Sequence, residues 1–416
     1  MTDSTIHSIA DALSVTPLQV RNRRRADDAF GLLCIVGWVV GEAPLLESLI
    51  VHVRVAGVVR AIPANEAMGA FHEGARMIEI NVMTHLIPDG PQSVEVEVEA
   101  QDGSRVAFQP VAIDVCNDSV LARQVTADLR AYGTPTIIGR HVDSTMFPYD
   151  DGKAHAWFEE DVDNGEPLSF EPSVDGEAAE RHLQRWGFCI LPETLPQAMI
   201  AAFKADLDKA IDSGDLVYRR GSSDRIHGAH EKLQSARDIW LYPPVLAFLK
   251  KHFRDTPCAC QTLTYVNGSE QGAHQDTIHL TPYPAGYMSG VWIALQDVQE
   301  ESGELFVYPG SHLNARLRTA GLGISKVENN DYSHFVPFDH AVQDLLAAGG
   351  YERVVYRPKA GQILVWHENL VHGGSPRLHQ DRERFSVVSH YFARGAVGYY
   401  DARGEAASLE TLPELT

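Results

Sequence analysis

Three things are scarce in this chain, and each scarcity excludes something. Cysteine occurs five times in 416 residues (Cys34, Cys116, Cys189, Cys258, Cys260), with no second closely spaced pair to match Cys258 and Cys260. Few and scattered thiols argue for a reducing compartment rather than a disulfide framework, and a structural zinc site would need more of them. Positive charge is thin: 35 Lys and Arg stand against 56 Asp and Glu, a formal net charge of −21. Recognition of a phosphate backbone relies on clustered cations, so nucleic acid is not an expected partner. Long hydrophobic runs are missing too, since no uninterrupted apolar stretch approaches the roughly 18 residues that cross a bilayer. The first thirty residues carry Arg21, Arg23, Arg24 and Arg25 without an apolar core or a small-residue cleavage site. A secretory signal is therefore not expected, the arginines read as a solvated arm, and the expected location is cytoplasmic.

What is present reads as a mainly β protein with flanking helices and more than one domain. Residues 1–29 are expected to form a flexible arm. From 30 to 117 the segments are rich in Val and Ile and bounded by Gly, Pro and Asp. Val94, Val96 and Val98 alternate strictly with Glu95, Glu97 and Glu99, the mark of a half-buried strand. Repeated strands of this kind suggest an N-terminal β-sandwich. Residues 118–174 hold one helix (SVLARQVTADLRAYG) and then a polar, acidic linker. A third composition runs over 175–416: EAAERHLQRWGFCILPE reads as a helix entering a strand, and 196–214 has the apolar spacing of an amphipathic helix. Within it, 313–358 is a long insertion, with a helix expected in DHAVQDLLAAGG capped by Asp339.

Three short segments carry the chemistry. In GAHQDTIHL, His274 and Asp276 lie two apart, so on a strand both would project from one face and could share an ion. In AGQILVWHENLVHGGSP, His367 and His372 are five apart and a Gly-Gly-Ser-Pro follows. That spacing excludes the zinc-protease helix, which needs histidines four apart. His372 beside its glycine turn is instead placed to add a third ligand from another strand. In RFSVVSHYF, Arg384, Ser386 and Val388 would share one strand face, and an arginine turned into a barrel must find an anion. Its planar fork matches a carboxylate, with the Ser386 hydroxyl as an added contact. Two histidines, one carboxylate and an inward arginine together make the facial triad of a non-haem Fe(II) centre with a clamp for a co-substrate.

The stretch from about 175 to 395 resembles the phytanoyl-CoA dioxygenase-like family of Fe(II)/2-oxoglutarate-dependent oxygenases. LQRWGFCILPE is similar to the family's opening, and GVWIALQDVQEESGELFVYPGSH (290–312) to its central stretch. The resemblance implies a C-terminal double-stranded β-helix of the jelly-roll or cupin type, in which His274, Asp276 and His372 bind iron. It places Trp292 beside the 2-oxoglutarate pocket and Arg384 on the far carboxylate. The family's serine two residues after the distal histidine is Gly374 here, and the arginine follows His372 by twelve residues. A one-residue insertion accounts for both departures and would make Ser375 the co-substrate contact, with Gln261 or Thr264 adding others. The implied reaction consumes O2 and 2-oxoglutarate, releases succinate and CO2, and hydroxylates a C–H bond of a small polar or glycan-related molecule. Asp276 stands where related halogenases carry a small residue, which favours hydroxylation. The acidic net charge makes a CoA thioester, with its phosphates, a less natural substrate.

Around the centre, His279, Tyr283 and Tyr287 are candidates for substrate contact, each balanced by a plain packing role. Arg316, Arg318 and Lys326 in the insertion could meet an anionic substrate or simply be exposed lid charges. Trp366 and His367 read as core packing beneath the site, and a homo-oligomer stays open. Two other functions fit the pattern less well. A redox-neutral cupin-like isomerase would not need Arg384, and a non-catalytic scaffold that contacts a glycan or partner would not need an intact triad.

Overall fold

The computed structural model describes residues 9–23, 28–149, 156–160 and 162–411. Two compact units emerge, Met1–Pro148 with Arg394–Ser408, and Tyr149–Ala393 with Leu409–Thr416. The helix Val120–Tyr132 and the segment 394–408 thus fall in the first unit, although the sequence assigned one to a linker region and the other to the C-terminal domain.

In the first unit, two antiparallel sheets share one apolar core. One runs in the order Ser14–Val15, Leu32–Val40, Ala75–Met83, Ile137–Ile138, and the other in the order Val111–Val115, Gly90–Glu99, Ile50–Val55, Val58–Pro63. The alternation in VEVEVE explains the second sheet. Val94, Val96 and Val98 are buried in the shared core, while Glu97 and Glu99 face outward and meet Arg105 of the neighbouring strand. Each buried valine contributes about 1.5–3 kcal/mol, whereas the exposed ion pairs contribute little. Ser14–Val15 and Gln19–Val20, within the stretch expected to be a flexible arm, pair with Leu32–Val40. Arg21 reaches Glu79 and Arg23 donates to the Phe30 carbonyl, so these cations are held by partners; Arg24 and Arg25 lie outside the described residues.

The second unit is built on a six-stranded sheet in the order Phe188–Ile190, Ile363–His367, Met288–Ala294, Ser386–Ala393, Pro257–Tyr265, Arg225–His227. Three short strands, Val354–Tyr356, Leu305–Val307 and His372–Gly374, form a smaller sheet. Side chains of both contribute to one cluster, including Phe188, Leu263, Trp292, Leu305, Val307, Leu364, Trp366 and Val388.

Helices enter this unit where the sequence signals them. Gly176–Trp186 begins at Asp175, whose carboxylate accepts the Glu177 and Ala178 amides, and ends at Gly187 in the left-handed conformation. A side chain at Gly187 would also collide with His312, a buried turn residue whose Nε2–H donates to the Gln184 carbonyl. Gln197–Ser213 follows as an amphipathic helix. The helix of the insertion is Val336–Gly349, longer than expected. Pro337 at its start fits the first turn, where no amide bond is lost, so Asp339 lies inside the first turn instead of capping it. Among the described residues, no helix is long and apolar enough to cross a membrane.

Candidate metal centre

His274 and His372 meet through their backbones. The His274 amide donates to the His372 carbonyl at 2.9 Å and the His372 amide to the His274 carbonyl at 3.1 Å, an isolated antiparallel bridge. Asp276 is not on a strand with His274, as the spacing suggested. It opens a short 3-10 turn, Asp276–Ile278, and its amide is fixed by the Glu368 carbonyl at 3.1 Å. One ligand atom from each of His274, Asp276 and His372 lies within 4.8 Å of the others. Two imidazoles and a carboxylate on one side of a shared point fit a ferrous ion with open positions opposite.

The imidazoles are set for coordination. His274 Nδ1 lies 2.9 Å from the Gly272 carbonyl and His372 Nδ1 2.9 Å from the Leu370 carbonyl. Nδ1–H must donate to each carbonyl, which leaves the Nε2 lone pair of both rings facing Asp276. Burial, with His372 close by, pushes the His274 imidazole down to about 3. Burial alone would raise the Asp276 carboxyl, but His372, His390 and His274 around it hold it far below the usual carboxylate range. Both groups are thus in the ligating form at neutral pH. The Gln271 amide lies 3.2 Å from His274 Nε2.

Two further side chains hold Asp276. Trp366 Nε1 donates to Oδ2 at 2.7 Å, and His390 Nε2 lies 3.4 Å from the same oxygen. Trp366 is therefore more than packing beneath the site. His390 was missed in the sequence, although period two through Arg384, Ser386 and Val388 carries on to it.

The expected co-substrate residues divide by strand face. Ser386 opposes Ala294 and Tyr265, and Val388 opposes Trp292 and Leu263, so this face of the strand looks into the cluster shared by the two sheets. Ser386 Oγ, Trp292 Nε1 and Arg384 Nε are all buried without a hydrogen-bond partner. Arg384 lies two residues before the strand, 2% exposed, its guanidinium 5.5 Å from the Tyr265 ring and 5.6 Å from the Trp292 ring. Burial lowers it to about 10, which leaves it cationic at neutral pH. Orphaned polar atoms around a buried cation fit a site for an absent anion. Tyr356, also missed in the sequence, adds a buried hydroxyl without a partner and a ring 6.1 Å from Trp292.

Two candidates point elsewhere, and a third is engaged by a neighbour. Thr264 sits between Leu263 and Tyr265, which face the cluster, so its side chain is on the opposite face with Thr262. Ser375 Oγ accepts from Arg353, whose guanidinium lies over the Phe306 ring, outside the face that Leu305 and Val307 present to the cluster. The inward position is Gly374, directly opposite Leu305. Gln261 does face inward, but its amide meets His390 Nδ1 at 3.2 Å.

The possible substrate residues are occupied by packing. His279 stacks on Phe335 and meets Tyr332 and Phe338, all from the insertion. Tyr283 packs edge-on against Tyr149, and Tyr287 against Phe158 and Phe253. The insertion's cations are not exposed lid charges either. Arg316 is buried between Glu159 and Glu368, Arg318 lies over the Tyr149 ring, and Lys326 donates to Thr319. His367 joins the Arg316 group through Glu159 at 3.0 Å.

The chain is similar to known proteins over part of its length. Residues 183–385 match the model of the phytanoyl-CoA dioxygenase family. Phytanoyl-CoA dioxygenase domain-containing protein 1 of Danio rerio is 47% identical over 107 residues, 24% of this chain and 37% of that protein. Its counterpart in Mus musculus is 32% identical over 168 residues, 39% of this chain and 55% of that protein. The chain thus spans about half or less of the curated relatives it matches. Among solved structures, the non-haem α-ketoglutarate-dependent carbocyclase SnoK from nogalamycin biosynthesis is 19% identical, with a TM-score of 0.44 over 54% of this chain and 88% of that one.

Proposed function

We propose that residues 175–416 form an Fe(II)- and 2-oxoglutarate-dependent dioxygenase that hydroxylates a C–H bond of a small polar or glycan-related molecule, with release of succinate and CO2. The observation that carries the reading is the pairing of a three-ligand cluster with a buried arginine whose Nε has no hydrogen-bond partner among the described residues. His274, Asp276 and His372 would hold the iron, and Arg384, Ser386 and Trp292 the far carboxylate of 2-oxoglutarate. Bound ferrous iron supplies the redox chemistry, coupling O2 reduction to decarboxylation of the keto acid and oxidation of the substrate.

The chain's own contribution is placement. Ser386 lies four residues from His390, about 13 Å along one strand. The long Arg384 side chain and a linear five-carbon diacid can together close such a gap. Arg384 binds bidentately and fixes the diacid's direction, so its keto-acid end meets the metal face. The aromatic walls exclude water around that ion pair. Asp276 keeps a carboxylate at the position a halide would otherwise need, which supports hydroxylation. The insertion 313–358, anchored by Arg316 and by the rings on His279, is read as the cover on the substrate side. The fold that goes with this function is a double-stranded β-helix, with the 30–117 β-sandwich as scaffold or contact module.

The test is an anaerobic titration of the protein with Fe(II) and then 2-oxoglutarate, followed in the visible region, with a substrate screen for succinate release. A metal-to-ligand charge-transfer band that needs both components is expected. Failure to bind Fe(II) ends the proposal.

A further inference from the structure

One row of residues crosses four strands of the large sheet beside Asp276. Gln261 opposes His390, His390 opposes Gly290, and Gly290 opposes Trp366. Side chains directly opposite one another on adjacent strands share a face, so the row presents a single edge to the carboxylate. Glycine is required in the middle. A Cβ at residue 290 would fall inside the Trp366 indole, so its absence lets the ring lie across the strand and bring Nε1 to Asp276 Oδ2. From the other side of the gap His390 brings Nε2 to the same oxygen.

The direction of the His390 contact is decided one strand further away. Gln261 Nε2 lies 3.2 Å from His390 Nδ1 and donates to it, which leaves the ring proton on Nε2, the nitrogen 3.4 Å from Asp276 Oδ2. A histidine kept only for packing would need no amide at its back and no oxygen at its front. Oδ1 lies 3.6 Å from His274 Nε2, and Oδ2 lies 3.8 Å from His372 Nε2, so the carboxylate's rotation sets how it faces both imidazoles.

We propose that His390, oriented by Gln261, is a positioning residue: with Trp366 it holds Oδ2 of Asp276 and so fixes the rotation in which the carboxylate meets a metal. The inference rests on the functional reading above and deepens it. A carboxylate held in one rotation would leave the positions opposite the triad to a chelating keto acid and dioxygen. A carboxylate free to turn could take two positions and compete with the co-substrate. Partners that orient metal ligands are commonly worth 10–100-fold in metal affinity.

The experiment uses the full chain with His390→Phe, which keeps a ring and removes the donor, His390→Gln, whose amide can return it, and Gln261→Leu. Three quantities are read: the metal-free melting temperature, Fe(II) affinity under anaerobic conditions, and the ligand-field spectrum of the Co(II)-loaded protein with and without 2-oxoglutarate. His390→Phe is expected to weaken Fe(II) binding about tenfold or more and to change the Co(II) spectrum. His390→Gln should restore both to near wild type, and Gln261→Leu should shift both in the same direction as His390→Phe by less. Should His390→Phe fail to fold, Gln261→Leu and His390→Gln decide the matter alone. Wild-type Fe(II) affinity and an unchanged Co(II) spectrum in His390→Phe, or in Gln261→Leu if that is the folded variant, overturn this assignment and leave the functional reading intact. Absence of Fe(II) binding by the wild type overturns both.

Discussion

Replacing Arg384 by methionine separates stability from function in a way that can be worked out in advance. Burial lowers the guanidinium from 12.5 to about 10. At 1.36 kcal/mol per unit, that corresponds to about 3 kcal/mol of strain on keeping the charge in the folded, ligand-free protein. The Tyr265 and Trp292 rings, at 5.5 and 5.6 Å, return about 0.5–1 kcal/mol each. The ligand-free protein is thus destabilised by about 1–2 kcal/mol, and Arg384→Met, of similar length and apolar, should relieve it. In a unit of this size the gain is a rise of about 2–8 °C in melting temperature. Saturation with 2-oxoglutarate at about 100 times its Kd should add about 2.7 kcal/mol to the wild type and nothing to the variant. The assay is thermal unfolding with Fe(II), anaerobically, with and without 2-oxoglutarate. The two proteins should exchange rank on adding the diacid. A variant that loses more than about 2 kcal/mol without ligand and still responds fully to 2-oxoglutarate would refute the reasoning.

Three other outcomes follow from the same geometry. His372→Ala should abolish both the charge-transfer band and succinate release, since it removes one of three ligands; retention of the band in an anaerobic titration would exclude the triad. Gly290→Ala should cost about 1–3 kcal/mol in urea unfolding by overpacking, and should weaken Fe(II) binding because Trp366 must leave Asp276. Unchanged iron affinity would break the link between that glycine and the carboxylate. Acid should destabilise the metal-free protein well above the carboxylate range. Burial holds His85 down to about 4 and His274 and His312 down to about 3. The unfolded chain therefore takes up these protons first, near 6.5, and stability is lost as pH falls from there toward the folded values. By pH 5 each histidine should remove about 2 kcal/mol, measured by urea unfolding at pH 7.5 and 5. A flat profile over that interval would show that the rings are not buried neutral.

Local rules made much of the second unit legible. Asp175 and Gly187 bound their helix because a cap and a left-handed residue act within a few positions of one another. The triad was legible as chemistry, from residue type and family pattern. Its geometry was not, because a backbone bridge joins His274 to His372 while a 3-10 turn, and not a strand shared with His274, carries Asp276. The insertion's cations were misjudged for a related reason: the carboxylates that bury Arg316, Glu159 and Glu368, lie 157 and 52 residues away respectively.

The sequence by itself determined the elements, the metal-binding residue types and the identity of the inward arginine, since periodicity, caps and side-chain chemistry are local properties. Tertiary structure decided which polar groups share a space. Strand order put Gln261, His390, Gly290 and Trp366 in one row, turned Thr264 and Ser375 away from the buried cluster, and left Arg384 Nε beside Trp292 without a hydrogen-bond partner among the described residues. Pairing register between distant strands is set by how whole faces pack, and no single segment carries that information.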